Sequence, residues 1–330
     1  MLAFSRGTDP VQRLDPAVDE LVSPGATVEK FCTGPGFSWT EGPVWIHAGY
    51  LLFAEIPTNS IRKWVPGGGV TIFLQPSGWL EKKPFGGKES GSNGMTLDRQ
   101  GRLTVAGHAQ RDVYRLESLD AGARKTILAD NYEGKRLNSP NDLVYKSDGS
   151  LYFTDPPYGL PTQSDNDPAK ELKFSGVYRL PGALHVPGGA VKPSGKLQLL
   201  TTDLPRPNGI AFSPDERYLY VDNSQPQRIW MRYEVKPDGT LGPGIKFYDA
   251  SDDPASGAPD GMKVDKAGNV YSTGPGGVLI FSPAGKHLGT IAVPERAANL
   301  AWGDADGKTL YITASSSVYK IRMNTPGIRP

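Results

Sequence analysis

NDLVYKSDGSLYFTD, residues 141–155, writes a whole β-hairpin in one phrase: a polar lead residue, an apolar run, a polar turn carrying Gly149, and a second apolar run. The phrase recurs upstream as EGPVWIHAGYLLFAEI from Glu41 and NGMTLDRQGRLTVAG from Asn93. Downstream it returns as NGIAFSPDERYLYVDN from Asn208, DGMKVDKAGNVYSTG from Asp260 and NLAWGDADGKTLYITA from Asn299. A β-patterned period of roughly 40–50 residues is the signature of a propeller, whose blades cannot bury their faces alone. The expected fold is therefore all-β, a six-bladed β-propeller. Glu41, Asn93, Asn141, Asn208, Asp260 and Asn299 hold one place in the repeat, so a closed ring aims them at a common axis.

Each blade is expected to contribute four antiparallel strands, the lead residue standing at the start of the innermost. The sixth repeat lacks its outer strand after Val318–Met323, and the chain before Glu41 holds one spare strand, Thr27–Cys32. Pairing the two closes the ring and removes exposed edges. Residues 1–25 then form an N-terminal arm outside a single propeller domain spanning 26–330. Alternating strand direction puts the loops before the first strand and between the second and third on one face, the mouth. The long loops 76–92 and 156–174 fall there, where binding resides on rigid scaffolds.

The composition is that of a globular chain: 38% hydrophobic and 22% charged, with forty Gly and thirty Pro punctuating short apolar runs. A formal charge of +1 with no basic stripe argues against a nucleic-acid partner. No apolar run reaches the length of a membrane span, and the amino end lacks the core of a secretory signal. Cys32 is the single cysteine, which excludes an internal disulfide and points to a reducing, cytoplasmic setting. It reads as a buried small apolar residue rather than a nucleophile. The sequence holds no G-x-S-x-G elbow, H-E-x-x-H helix or P-loop.

Several buried amides and two carboxylates around one axis are costly unless something pairs with them. Oxygen donors without His or Cys suit one hard divalent cation, Ca²⁺ first, with Mg²⁺, Mn²⁺ or Zn²⁺ as alternatives. Asn-Gly and Asp-Gly are also hairpin formers, so the lead residues have a second reading as structural turns. Glu41 suits that second role poorly, and Asn299, without a following Gly, suits the metal role least. His108 ends a strand on the mouth side within reach of a substrate, and Tyr158 and Trp79 stand in the mouth loops as candidate walls.

The strings TEGPVW, SNGMTLDRQGRL, SPNDLVYKSDGSLYFTDPPYG, RPNGIAFSPDERYLYVDN and PDGMKVDKAGNVY span most of residues 38–322. Together they resemble the family of senescence marker protein, gluconolactonase and luciferin-regenerating enzyme. FTDPPYGL and GHAQRDVYR are similar to its bacterial gluconolactonase-type branch, which often carries a Cys where Ala106 or Gly107 stands here. The resemblance implies a metal sphere of Glu41, Asn141, Asn208 and Asp260, with Asn93 beside it contacting substrate or water. It also implies a small-molecule lactone substrate, contacted by Asn93, and gives Asp260 the role of base or nucleophile; His108, Asn141 and Tyr158 complete the expected substrate contacts. The expected activity is a metal-dependent lactonase acting on a sugar lactone such as gluconolactone. The rivals are an organophosphate or other lactone or ester hydrolase on the same site, and a non-enzymatic interaction propeller.

Overall fold

The second strand of each repeat reads as a continuous apolar run rather than an alternating one. The structure, a computed structural model describing residues 9–190 and 196–330, shows why. Both faces of these strands are buried between neighbouring blades, as in sheets covered on two sides. In blade four Leu219 and Val221 pack toward blade three, while Tyr220 between them packs toward blade five. In blade one Leu52 faces blade two, while Leu51 and Phe53 face blade six. Six apolar clusters result, one in each cleft between adjacent blades.

The blades are antiparallel sheets in simple up-and-down order. Blade one comprises Thr40–Ile46, Tyr50–Glu55, Ser60–Val65 and Gly69–Leu74. Blade two comprises Met95–Leu97, Leu103–Gly107, Asp112–Leu116 and Lys125–Ala129. Blade three comprises Leu143–Tyr145, Leu151–Asp155, Gly176–Leu180 and Gln198–Thr201. Blade four comprises Pro207–Phe212, Tyr218–Asn223, Ile229–Val235 and Leu241–Asp249. Blade five comprises Met262–Val264, Val270–Gly274, Gly277–Phe281 and His287–Ala292. Blade six has Ala297–Gly303, Thr309–Ala314 and Ser317–Arg322, completed by Glu29–Thr33 from the amino end. Glu29 pairs with Lys320 and Thr33 with Ser317, so the expected closure is present.

Two features depart from the sequence reading. Val11–Arg13 of the N-terminal arm adds a fifth strand to blade five, pairing Val11 with Ile291; residues 1–8 of that arm lie outside the described residues. Asn131–Tyr132 and Lys135–Arg136 form a small ribbon between blades two and three. Its turn residues Glu133 and Gly134 both have positive φ, 50° and 79°, the geometry of a tight hairpin turn that Glu rarely signals. Cys32 is buried in the closing strand, and burial pushes its thiol up to about 12.

Around the axis the inner strands start almost in contact. Gly94 N–H donates to Asn141 O at 2.8 Å and Gly261 N–H to Ala298 O at 2.7 Å, both across a blade boundary. A Cβ on Gly42 would fall 2.2 Å from Asn93 O, on Gly94 2.5 Å from Asn141 O, and on Gly209 2.1 Å from Asp260 O. The glycines after the lead residues therefore serve close approach between blades, not hairpin turns. Of these, only Gly42 has a left-handed φ, 45°.

Glu295 fastens the closure. It accepts hydrogen bonds from Lys30 Nζ (2.9 Å), Ser317 Oγ (2.6 Å), Tyr319 OH (2.8 Å) and Ser316 N–H (2.8 Å). Partial burial pushes this carboxyl up, but Lys30, Ser317, Tyr319 and the Ser316 N–H together hold it at about 2. A depressed carboxyl contributes stability that is present above its ordinary value near 4.5 and lost as pH falls through about 2. Glu295→Gln should therefore cost about 1–3 kcal/mol at neutral pH, and the gap from wild type should close in denaturation curves taken toward pH 2. Gly209→Ala should also destabilise, by about 1–3 kcal/mol, because the added methyl meets backbone of the next blade. An unchanged unfolding midpoint would show that the ring has slack there.

Candidate active site

Five of the six lead residues, Glu41, Asn93, Asn141, Asn208 and Asp260, line one cavity of about 350 Å³ at the mouth of the channel. All five are buried, none more than 8% exposed. The sixth, Asn299, does not reach it; its Oδ1 accepts the Leu300 N–H at 2.8 Å. The ring thus brings together residues far apart in sequence because each occupies the same register at the start of an inner strand.

The local structure turns oxygens inward. Asn208 Nδ2 donates to Ser224 Oγ at 2.9 Å, which fixes the amide and leaves Oδ1 free. Among the described residues the side-chain oxygens of Asn93, Asn141 and Asn208 have no hydrogen-bond partner, although buried. Asn138 and Ser139 donate their N–H groups to Asp155 at 2.8 and 2.7 Å, anchoring the turn that precedes Asn141. Thr154 Oγ1 donates to Asn208 O at 2.7 Å and ties blade three to blade four at the same level.

The two acids sit in unfavourable surroundings. Burial pushes the Glu41 carboxyl up to about 7; the Gly42 N–H, donating at 2.7 Å, opposes this and the Asp142 charge adds to it. Burial, then the charges of Glu41 and Asp222, raise Asp260 well above the usual carboxylate range. Three unsatisfied amide oxygens beside two repelling carboxylates are what a hard cation would relieve, and Glu41, Asn141, Asn208 and Asp260 could hold one. Among the described residues no three His, Cys, Asp or Glu side chains cluster as a metal site, so a ligand set here is half amide.

Of the other expected contacts, Tyr158 lines the cavity half-buried, its phenol pushed up to about 12 by burial. Arg206 lies over the same ring, 5.4 Å from its centroid. His108 does not line the cavity. It is fully buried one layer behind, with Nε2 2.8 Å from Glu89 Oε2 and Nδ1 donating to Pro140 O at 3.1 Å. Trp79 also stays out of the wall, donating its Nε1–H to Lys83 O and packing on Phe85. The remaining wall is Trp39, Glu89, Gln163, Ser224, Gln225, Ala258 and Arg296, which sequence reasoning passed over. Glu89 and Gln163 come from the two long mouth loops, so loop length was the available signal, but it does not say which side chain points inward.

The sequence matches the SMP-30/gluconolactonase/LRE-like region over residues 39–316. A gluconolactonase from Zymomonas mobilis is 39% identical over 96% of this chain and 87% of its own. The solved gluconolactonase of Xanthomonas campestris superposes with a TM-score of 0.78 at 30% identity, covering 96% of this chain and 95% of that one. A calcium-binding protein, regucalcin, from Agrobacterium tumefaciens shares the fold at a TM-score of 0.67 and 17% identity, over 89% of this chain and 93% of its own. With a match this long, on this fold, the chain belongs to the SMP-30/gluconolactonase/LRE-like family.

Proposed function

We propose that the chain is a metal-dependent lactonase that opens a sugar lactone such as gluconolactone. Glu41, Asn141, Asn208 and Asp260 would hold one divalent cation, Ca²⁺ first. The observation that carries this reading is the inward ring: buried amide oxygens without partners, set beside two acids whose proximity is unfavourable without a counter-charge. The relatives from Zymomonas mobilis and Xanthomonas campestris, both named gluconolactonases, point the same way. The wall also suits a hydroxyl-rich substrate, since Glu89, Gln163, Gln225 and Arg296 offer donors and acceptors.

A divalent cation held by Glu41, Asn141, Asn208 and Asp260 would supply Lewis acidity toward the lactone carbonyl. The chain's own groups do the rest. Asn93, with a free Oδ1 at the rim, orients the attacking water or a substrate hydroxyl. Asp260 takes the proton that the water loses as its oxygen bonds to the acyl carbon. Tyr158 closes one side of the cavity and limits the orientations of the sugar ring.

Glu41→Ala or Asp260→Ala should abolish lactone hydrolysis while leaving the far-UV spectrum of a β protein. Chelator should do the same to the wild type, and turnover surviving in either variant would rule out the site. Stability gives an independent check. A carboxyl raised to about 7 contributes stability that is fully present below its ordinary 4.5 and lost as pH rises through 7. In chelator at pH 8, Glu41→Gln should therefore be more stable than wild type, on the order of 3 kcal/mol, with the difference vanishing near pH 4. Adding Ca²⁺ should reverse the order, because only the wild type keeps its full sphere. Thermal unfolding with and without Ca²⁺ measures both effects.

A further inference from the structure

We propose that Glu89 and His108 form a proton-holding dyad in the cavity wall, with Glu89 as the catalytic acid for the departing ring oxygen and His108 as its positioning residue. This rests on the lactonase reading above. Pro140 O carries no hydrogen, so the 3.1 Å contact requires His108 Nδ1 to be the donor. A neutral imidazole has one N–H, which leaves Nε2 as a bare lone pair facing Glu89 Oε2 at 2.8 Å. Two lone pairs do not hold that distance. A proton lies between them, either on an imidazolium donating to a carboxylate or on a carboxylic acid donating to a neutral imidazole. In both arrangements the pair carries one proton more than a neutral histidine beside an ionised glutamate.

The pose is fixed from several sides. A Cβ on Gly159 would fall 2.7 Å from His108 Cδ2, so the imidazole fills the space that this glycine leaves. Pro140 is set by its neighbour Ser139, whose N–H donates to Asp155 at 2.7 Å. Glu89 Oε1 accepts from Gln163 Nε2 at 2.7 Å, so both carboxyl oxygens are oriented, yet the side chain remains 21% exposed. Charged neighbours are mixed. Glu89 raises both Glu41 and Asp260 by its charge, Arg296 lines the same cavity, and Arg206 Nη1 donates to Gln163 O at 3.1 Å. Arg111, on the turn that carries His108, points away and donates to Leu137 O and Ala169 O.

A lactone opened at its carbonyl releases the ring oxygen as an alkoxide, a base far stronger than any side chain here, so a proton must arrive as the bond breaks. The atoms balance as follows. The water oxygen bonds to the acyl carbon, one water proton passes to Asp260, and the bond from acyl carbon to ring oxygen breaks. The ring oxygen takes the dyad's proton from Glu89, giving the hydroxy acid. The proton on Asp260 returns through solvent to the dyad, and no other reactant is consumed.

The test compares wild type, Glu89→Gln and His108→Gln, all Ca²⁺-loaded and checked for folding by circular dichroism. Two substrates differ in leaving group: gluconolactone, which releases an alcohol, and dihydrocoumarin, which releases a far more acidic phenol. Glu89→Gln should lower kcat on gluconolactone about 10²–10³-fold with little change in KM, and much less on dihydrocoumarin. His108→Gln should lower kcat on gluconolactone and move the alkaline limb of the pH profile to lower pH. Equal losses on both substrates, or none, would overturn the proposal. A wild type inactive on both lactones would instead overturn the lactonase reading. In that case the dyad is still decided by NMR of the imidazole nitrogens and labelled carboxyl carbon at neutral pH. A singly protonated His108 beside an ionised Glu89 sinks it, and either shared-proton arrangement sustains it.

Discussion

Everything in this protein depends on how closely six inner strands can crowd one axis. A strand start with a Cβ at Gly42, Gly94 or Gly209 would run into the backbone of the next blade at 2.1–2.5 Å. Removing that Cβ lets the lead residues converge on a cavity of about 350 Å³. The same crowding buries two acids and three amide oxygens that a stable core would exclude. The apolar clusters between blades and the N-terminal closing strand carry that local penalty. The site is destabilising by construction, as preorganised sites commonly are, and a bound cation would turn that cost into affinity.

Much of the fold was legible because a propeller repeats itself. The hairpin phrase recurs with its turn and its lead residue, so blade count, strand order and closure followed from register alone. The closing strand expected at Thr27–Cys32 is present as Glu29–Thr33, paired to Ser317–Arg322. What escaped was non-repetitive. Val11–Arg13 joins blade five through backbone pairing that its short, mixed sequence does not advertise. The 131–136 ribbon turns on a left-handed Glu133, a residue type that favours such a turn little.

The site divides along the same line. Glu41, Asn93, Asn141, Asn208 and Asp260 stand out in the sequence because they share a position in the repeat, and they line one cavity. His108 was expected beside the substrate, since strand direction places it on the mouth side, but it is buried behind Glu89. Strand direction fixes which end of a blade a residue occupies; it does not fix how many layers of side chain cover it. Glu89, Gln163 and Arg296 come from irregular connections, whose conformations are set by contacts with each other. The Glu89–Gln163 bond, joining loops 76–92 and 156–174, is such a contact.

The other end of the channel explains why charge gathers at the mouth. Beneath the ring, Lys263 Nζ lies 3.6 Å from Asp142 Oδ2, an oxygen with no hydrogen-bond partner among the described residues. Asp222 is buried in the neighbouring blade, its carboxyl raised well above the ordinary range by burial. Lys263 acts on Asp142 and Asp222 from below, while Arg296, lining the cavity, acts on Asp260. Further down, the lining mixes Trp45, Leu97, Phe212 and Trp302 with the basic Arg99, Lys146 and Lys263 and one acid, Glu216, and the carboxy-terminal segment lies across it. Gly327 packs so tightly on the Trp302 indole that a Cβ would fall 1.8 Å from Cγ, and Ile328 N–H donates to Val264 O at 3.0 Å. Lys263, Arg99 and Lys146 would repel a divalent ion from that end. That repulsion would leave the mouth-side oxygens as the place for a cation.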